Sequence, residues 1–381
     1  MKCKNDHSFD LSKERTVNLL MKKKIKAMVG DSREQVVLRE RVLSAGAFEF
    51  LEDGLFERVQ EAFWAKVGRA EADDDDDCDD RRSNEEEDDV EVDDEAEDVV
   101  GVVVGARKKK LLRKRRLRKD ARAKRSATEK RRISFVVMDV GCADGYWLGK
   151  LANRFSACER ISAFLSMHDN VSVDFVFIGL DASKDAIKIA AKRTTTMMNN
   201  NSNNSNKEYD DTEDYDKRRS ASAQFSFAVA DANELPILNN KVDVSLSIFA
   251  PRNGKEIERT LTKEKHVGKL IIITPSERHL EELRSQEARE QGVVCLKIEK
   301  NKADRIERQL LETASLRLAS PETLSEREHV FTQSDAVKSI LLMGASASHQ
   351  TPESLLALET YWDNKVTKTL TFSFETREFV R

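Results

Sequence analysis

The chain has 381 residues, enough for two ordinary domains or for one large domain that carries insertions. Charged residues make up 35% of it and the mean hydropathy is -0.59, which excludes a chain packed along its whole length. Its five cysteines (Cys3, Cys78, Cys142, Cys158, Cys295) contain no CxxC pair, which argues against a disulfide scaffold and for a reducing compartment, and no apolar run approaches the roughly eighteen residues that span a bilayer.

From Glu34 to Lys66 the apolar residues Val37, Val42, Leu43, Leu51, Leu55, Phe56, Val59 and Phe63 recur at helical spacing, with breaks near Gly46 and Gly54. Two or three amphipathic helices are expected there. Residues 71–98 then hold 19 Asp or Glu against Arg81 and Arg82, a net charge of -17, and residues 107–132 hold 16 Lys or Arg against Asp120 and Glu129, a net charge of +14. Segments so charged and so poor in aromatics bury too little surface to offset the entropy of ordering, so residues 71–132 are expected to be a disordered acidic and then basic insertion. The rest of the chain is close to neutral; the pI near 6.0 averages two opposite blocks and does not speak against a polyanionic partner.

At Phe135 the character changes. FVVMDV (Phe135 to Val140) is a buried-strand run, Gly141 to Gly145 form a turn, and Trp147, Leu148, Leu151 and Phe155 begin a helical pattern. A second run, FVFIGL (Phe175 to Leu180), ends at Asp181 and leads into a helix with Ile187, Ile189 and Ala190. Residues 194–223 contain an Asn/Ser-rich stretch and read as a low-complexity insertion. Strands resume at Phe225 to Ala230, Val242 to Phe249 and Lys269 to Thr274, with a short helix around Ile257 to Leu261. Thr367 to Phe374 alternates Leu370, Phe372 and Phe374, an antiparallel strand against the sheet's edge. Strands alternating with helices predict an α/β, Rossmann-like unit over residues 133–381 with a mainly parallel sheet, preceded by a small N-terminal region over residues 1–70.

The chemistry sits at strand ends. VVMDVGCADG (Val136 to Gly145) lacks the full GxGxxG fingerprint of dinucleotide enzymes, and the carboxylate of Asp139 suits a cationic ligand better than a pyrophosphate. Asp181, just after the second run, is placed to accept from both hydroxyls of a ribose; its distance from Gly145 exceeds the usual interval of about 20 residues, which implies an insertion around Ser156 to Asp174. Asp231 follows the third strand and is placed to accept from an adenine amino group. Each aspartate alone is an ordinary turn residue. Three of them closing successive strands beside a glycine turn make an adenosine site.

Several segments together resemble the RlmA-type 23S rRNA (guanine-N1)-methyltransferases. CKNDHSFDLSKERTVNLL (Cys3 to Leu20) is similar to the segment that holds the last two zinc ligands of that family, and VGCADGYW (Val140 to Trp147) and GLDASKDAIKIAAKR (Gly179 to Arg193) resemble its cofactor motifs. FAPRN (Phe249 to Asn253) and ITPSERHLEEL (Ile273 to Leu283) are less generic, not being shared by methyltransferases at large, and LLMGASASH (Leu341 to His349) resembles its substrate-side loop. The resemblance implies a class I domain with a seven-stranded sheet, S-adenosylmethionine held by Asp139, Gly141, Ala143, Gly145, Tyr146, Asp181, Asp231 and Ala232, and a guanine of large-subunit rRNA met by Phe249, Ala250, Pro251, Arg252 and Asn253. Ala143 replaces a second glycine of the family, and Ala345 replaces a proline. Of the family's N-terminal zinc module only Cys3 and His7 are present; half of the four-ligand site is missing, so zinc is expected only if upstream ligands exist in a longer native chain, and otherwise the site has decayed.

Methyl transfer to guanine N1 also requires loss of a proton, for which His279 and His349 are the candidates by pKa without a choice between them; the other catalytic candidates are Asn253, to meet the base edge, and Arg252, to hold phosphate or the guanine plane. Lys22, Lys23, Lys24 and Lys26 are placed to grip an RNA backbone. Trp64, Trp147 and Trp362 read as core rather than as base-stacking groups. The same sequence leaves open a class I methyltransferase with a small-molecule substrate, and a non-catalytic RNA- or protein-binding scaffold. No membrane partner is expected, a homodimer is compatible with the sequence, and the long acidic and Asn-rich insertions favour the stroma of a plastid or other organelle over the cytoplasm.

Overall fold

The structure, a computed structural model, describes residues 9–20, 30–83, 131–204 and 221–381. Cys3, His7, Lys22, Lys23, Lys24, Lys26 and residues 84–130 and 205–220 lie outside the described residues, and with them the zinc half-site, most of the basic block and the middle of the insertion expected over residues 194–223.

One sheet runs through the described residues. Its centre is β2 (Arg131–Val140), which pairs in parallel with β3 (Val171–Asp181) from Arg131 opposite Val171 to Val140 opposite Leu180. On one side follow β3 and β4 (Ala221–Val229); on the other, β5 (Val244–Ile248), β6 (Lys269–Pro275), β9 (Thr369–Val380) and β8 (Thr323–Val330). The seven long strands therefore run in the order β4-β3-β2-β5-β6-β9-β8, with the two-residue β1 (Val17–Asn18) on the β4 edge and β7 (Arg317–Leu318) beside β8 on β9. All are parallel except β9, which opposes β6, β7 and β8. Chain order reverses between β2 and β5, and the carboxyl ends of those two strands frame the crevice in which such sheets bind ligands.

The antiparallel strand runs six residues past the expected Phe374, through the charged segment Glu375 to Val380. Apolar alternation stops at Phe374, yet β9 pairs with β6 from Phe374 to Val380, where the charges are matched: Glu378 is buried against Lys269 at 2.7 Å, and Arg377 meets Asp304, Glu307 and Glu322. β8 gave no sequence signal. Most of its positions are exposed, so no apolar alternation marks TLSEREHV as a strand, a normal disguise for an edge.

Helices cover both faces. The inferred insertion between Ser156 and Asp174 contains α4 (Glu159–Met167), which buries Ile161, Phe164 and Leu165 beside α3 (Tyr146–Ser156). α5 (Lys184–Asn204) continues from β3 into the low-complexity stretch. Near the amino terminus, α1 (Arg33–Ser44) starts with a Ser32–Gln35 capping box, and α2 runs from Glu52 to Ser83, thirteen residues into the segment expected to lack structure.

The sequence puts a boundary near residue 70, but Val42 to Val67 share one hydrophobic cluster with Phe135, Leu148 and Phe175. Val59, Ala62 and Phe63 of α2 are fully buried, and the Phe63 ring lies 5.5 Å from Phe135 and 5.3 Å from Phe175. Removing a phenyl ring from such a contact costs about 3–5 kcal/mol. Lower on α2, Lys66 donates to both oxygens of buried Asp243, at 2.8 and 2.7 Å, and Asp243 also accepts from the amide of Val136. Helical periodicity reveals an amphipathic helix but not the surface it covers. A second cluster, with Met138, Val140, Ile257, Leu310 and Phe379, fills the opposite face. Trp362 is fully buried and donates to the carbonyl of Phe331 at 2.8 Å, and Trp147 is also core.

Candidate cofactor and substrate site

The crevice begins at Asp139. It is 1% exposed, and neither carboxylate oxygen has a hydrogen-bond partner among the described residues. Burial, with Asp181 and Asp144 nearby, pushes its carboxyl up to about 8. A buried carboxylate left so is costly. It demands a ligand that brings hydrogen-bond donors or positive charge.

The turn after β2 is shaped for close approach. Gly141 has φ +81°, and a Cβ on it would stand 2.4 Å from the Cβ of Ala250, so the residue must be glycine. The amides of Gly141 and Cys142 donate to the carbonyl of Leu180 at 2.7 and 3.0 Å, fixing the turn to the end of β3. Ala143 takes φ +46° without a glycine, and its amide donates to Asp181 at 2.9 Å. The other oxygen of Asp181 accepts from the Ser183 amide at 2.7 Å. Each oxygen keeps a further lone pair for a ligand. Burial raises this carboxyl as well. Gly179 is a packing requirement that sequence reasoning missed: a Cβ there would meet the ring of Phe227 at 2.4 Å and Cys142 Sγ at 2.8 Å, contacts that only the third dimension reveals.

Asp231 lies two residues past β4; it is 7% exposed and accepts from the Asn233 amide at 2.8 Å, with Ala232 half-buried beside it. Gly145 opens α3 with φ +72°. The next residue, Tyr146, donates its hydroxyl to Glu52 at 2.6 Å, and burial followed by Glu52 raises its phenol. Tyr146 thus ties α3 to α2. Asp144 is buried against Arg193 at 2.5 Å, and Arg193 also reaches Glu40 of α1 at 2.8 Å. α1 spans the site: Arg39 meets Asp31 at 2.5 Å and donates to the carbonyl of Met343 at 2.8 Å, and Ser183 donates to the carbonyl of Asp31 at 2.7 Å.

The substrate-side residues follow β5. Phe249 is 42% exposed with φ +55°, an uncommon backbone state for a bulky residue, and its ring lies 4.9 Å from Phe374 and 6.0 Å from Phe48. Ala250 packs over Gly141, and Pro251 is exposed. Arg252 has a buried Nη1 without a partner among the described residues. Asn253 is occupied: its Oδ1 caps α6 (Gly254–Thr260) by accepting from the amides of Lys255 and Glu256, and its Nδ2 donates to the carbonyl of Asn233. An amide so engaged has no basic atom to take a proton.

The two histidines are not brought together. His279 accepts from the Ser373 amide at 3.4 Å and lies 4.6 Å from the Phe374 ring; burial and then Arg284 push its imidazole down to about 3. It is a neutral wall group. His349 is exposed on the turn Ala345–His349. Sequence reasoning missed His329, on the edge strand β8, whose Nε2 is buried without a partner and whose ring is 5.3 Å from Phe372 and 6.3 Å from Phe50. Phe48, Phe50, Phe249, Phe372 and Phe374 make an aromatic wall near the carboxyl ends of β5 and β6, with contributions from three distant parts of the chain. Among the described residues no cluster of three or more His, Cys, Asp or Glu is arranged for a metal ion, and no helix is long and apolar enough to cross a membrane.

Carboxylates closing three adjacent strands around a glycine turn, at the reversal point of a β4-β3-β2-β5-β6-β9-β8 sheet, define the Rossmann-like fold of the class I methyltransferases. Over 141 residues the chain is 33% identical to a 23S rRNA (guanine(748)-N(1))-methyltransferase of Streptomyces fradiae, a match that covers 36% of this chain and 46% of that relative. A candidate 23S rRNA (guanine-N(1)-)-methyltransferase of Micromonospora griseorubida is 41% identical over 69 residues, covering 17% of this chain and 22% of its own length. The chain thus matches less than half the length of these curated relatives, and the resemblance read from its motifs points to the same proteins. No family model matches. Solved structures like it include a candidate methyltransferase from Bacillus halodurans C-125 (14% identity, TM-score 0.37, 68% of this chain and 96% of that one) and a SAM-dependent methyltransferase from Aquifex aeolicus (11%, 0.29, 65% and 82%).

Proposed function

We propose that the protein transfers a methyl group from S-adenosylmethionine to N1 of a guanine in large-subunit rRNA. The observation that carries the cofactor half is Asp139, a fully buried carboxylate with both oxygens unsatisfied at the reversal point of the sheet. Asp139 would hold the amino group of the cofactor's methionine moiety, which would bring the donors and positive charge that this carboxylate lacks among the described residues. Asp181 would accept from the ribose hydroxyls, Asp231 from the adenine amino group, and Gly141 keeps the turn tight enough for close approach.

When bound, the sulfonium supplies an electrophilic methyl group for in-line displacement. The chain's own task is alignment and exclusion of water. Phe249 offers an exposed ring face at the lip of the crevice, backed by Phe374 and Phe48, on which an unstacked base can rest. His279, held neutral by burial and with Nδ1 engaged by the Ser373 amide, would line this wall. The rRNA specificity is supported by the named relatives and by FAPRN, ITPSERHLEEL and LLMGASASH.

The test is calorimetry of S-adenosylmethionine with the wild type and Asp181→Ala, then methylation of unmodified large-subunit rRNA with mass mapping. Binding lost in the variant, together with 1-methylguanosine in the product, is expected. A folded wild type that fails to bind the cofactor would refute the enzymatic reading; binding without RNA methylation would move the substrate to another class.

A further inference from the structure

We infer that the turn after β5 and the start of α8 (Lys302–Thr313) form an anion pocket, and that the anion held there in the working protein is a backbone phosphate of the RNA substrate. The inference rests on the RNA reading for the source of the phosphate, but not for the pocket.

Arg252 is the core of the argument. Its Nη1 has no solvent contact and no acceptor among the described residues. Its electrostatic surroundings worsen the position: Arg305 repels it, and Arg252 in turn repels half-buried Lys302. Glu299, the carboxylate that attracts Lys302, is taken up by Arg305 in a two-point contact of 2.7 and 2.9 Å. Asp304, in the first turn of α8, faces Arg377 at 2.5 Å. Arg252 and Lys302 therefore have no ion pair among the described residues. Burial brings the Arg252 guanidinium down to about 10, and burial with Arg252 lowers Lys302. An unpaired buried cation next to a second one is a standing cost that a bound anion removes.

The placement fits a substrate phosphate. Ala250, two residues before Arg252, packs over Gly141, so the loop abuts the cofactor turn. Asn253 locks the loop by capping α6 and donating to Asn233, which fixes the guanidinium without spending it. A planar guanidinium with an ammonium beside it matches the tetrahedral oxygens of a phosphodiester. The same chemistry suits a free nucleotide phosphate, and the experiment separates the two sources.

Arg252→Met keeps the packing volume and removes the charge; Lys302→Gln does the same at a more exposed position and carries the test alone if the first variant fails to fold. Guanosine 5′-monophosphate and guanosine are titrated into wild type and variants, and an rRNA hairpin is titrated over a series of KCl concentrations. The wild type is expected to prefer the monophosphate by about ten-fold, from one charge-assisted contact. Both variants should lose most of that preference, weaken RNA binding and flatten the logarithmic salt slope by about 1, with S-adenosylmethionine affinity unchanged. A wild type without preference, or variants that keep it, overturns the pocket. Preference lost in the variants while the wild type ignores RNA would uphold the pocket, assign it to a free nucleotide and refute the RNA reading.

Discussion

Replacing Asp139 by Asn separates the cost of the cofactor site from its use. The Asp139 carboxyl is raised from 3.8 to about 8, with burial as the main cause. A group raised in the folded state contributes stability that is full below its unfolded value and is lost as pH rises towards the folded one. Between 3.8 and pH 7 lie just over three units, and at 1.36 kcal/mol per unit the loss reaches about 4 kcal/mol at neutral pH. The cofactor-free wild type should therefore weaken steadily in urea denaturation from pH 4 to pH 8. Asp139→Asn should flatten that profile and gain up to about 4 kcal/mol at pH 7, less whatever the buried amide costs. The same variant should lose cofactor binding. Because Asp139 must ionise to meet a cationic amine, wild-type binding at pH 7 should release a proton, measurable by calorimetry in buffers of different ionisation enthalpy. A variant no more stable than the wild type, with the same pH profile, would refute the picture of an unsatisfied buried carboxylate.

Gly141→Ala should abolish cofactor binding and cost about 1–3 kcal/mol in denaturant melts, since the new Cβ meets Ala250 at 2.4 Å and φ is +81°. Lys66→Met strands Asp243 in the interior and should destabilise by about 3 kcal/mol; denaturation of the Lys66→Met, Asp243→Leu double variant should recover most of this. Phe249→Ala should leave melting and cofactor affinity nearly unchanged, because the ring is 42% exposed, while raising the KM for RNA about ten-fold or more through a lost stack. An unchanged KM would remove Phe249 from the base platform.

What could be read from the chain was whatever is local. An apolar run, an aspartate and a glycine turn lie side by side in Phe135 to Gly145, and the runs ending near Asp181 and Asp231 repeat the run and its aspartate, so the strands and the mainly parallel sheet followed from short-range signals. Features fixed by distant contacts were silent. Gly179 looks like any strand glycine until Phe227 and Cys142 are brought against it. α2 announces an apolar stripe, but only the packed sheet shows that Phe63 and Lys66 belong to the same core as Phe135 and Asp243. The last residues of β9 are held by ion pairs, which leave no periodicity to find. The aromatic wall draws on Phe48, Phe249 and Phe374, and no signal within their separate segments tells that the three rings meet.

The direction of α2 has a consequence for how this protein tolerates change. Its first turn is tied at the crevice through Glu52 and Tyr146, and by Lys66 the helix has reached the opposite rim, where Asp243 leads into β5. The chain returns to the sheet at Arg131, on that same far rim. The described chain on both sides of residues 84–130, the later part of α2 and the start of β2, thus meets the sheet on the side facing away from the cofactor turn. The anchorage of this joint, through Lys66, Asp243 and Arg131, is separate from Asp139, Asp181 and Asp231, which makes it a natural place for an engineer to splice in a reporter.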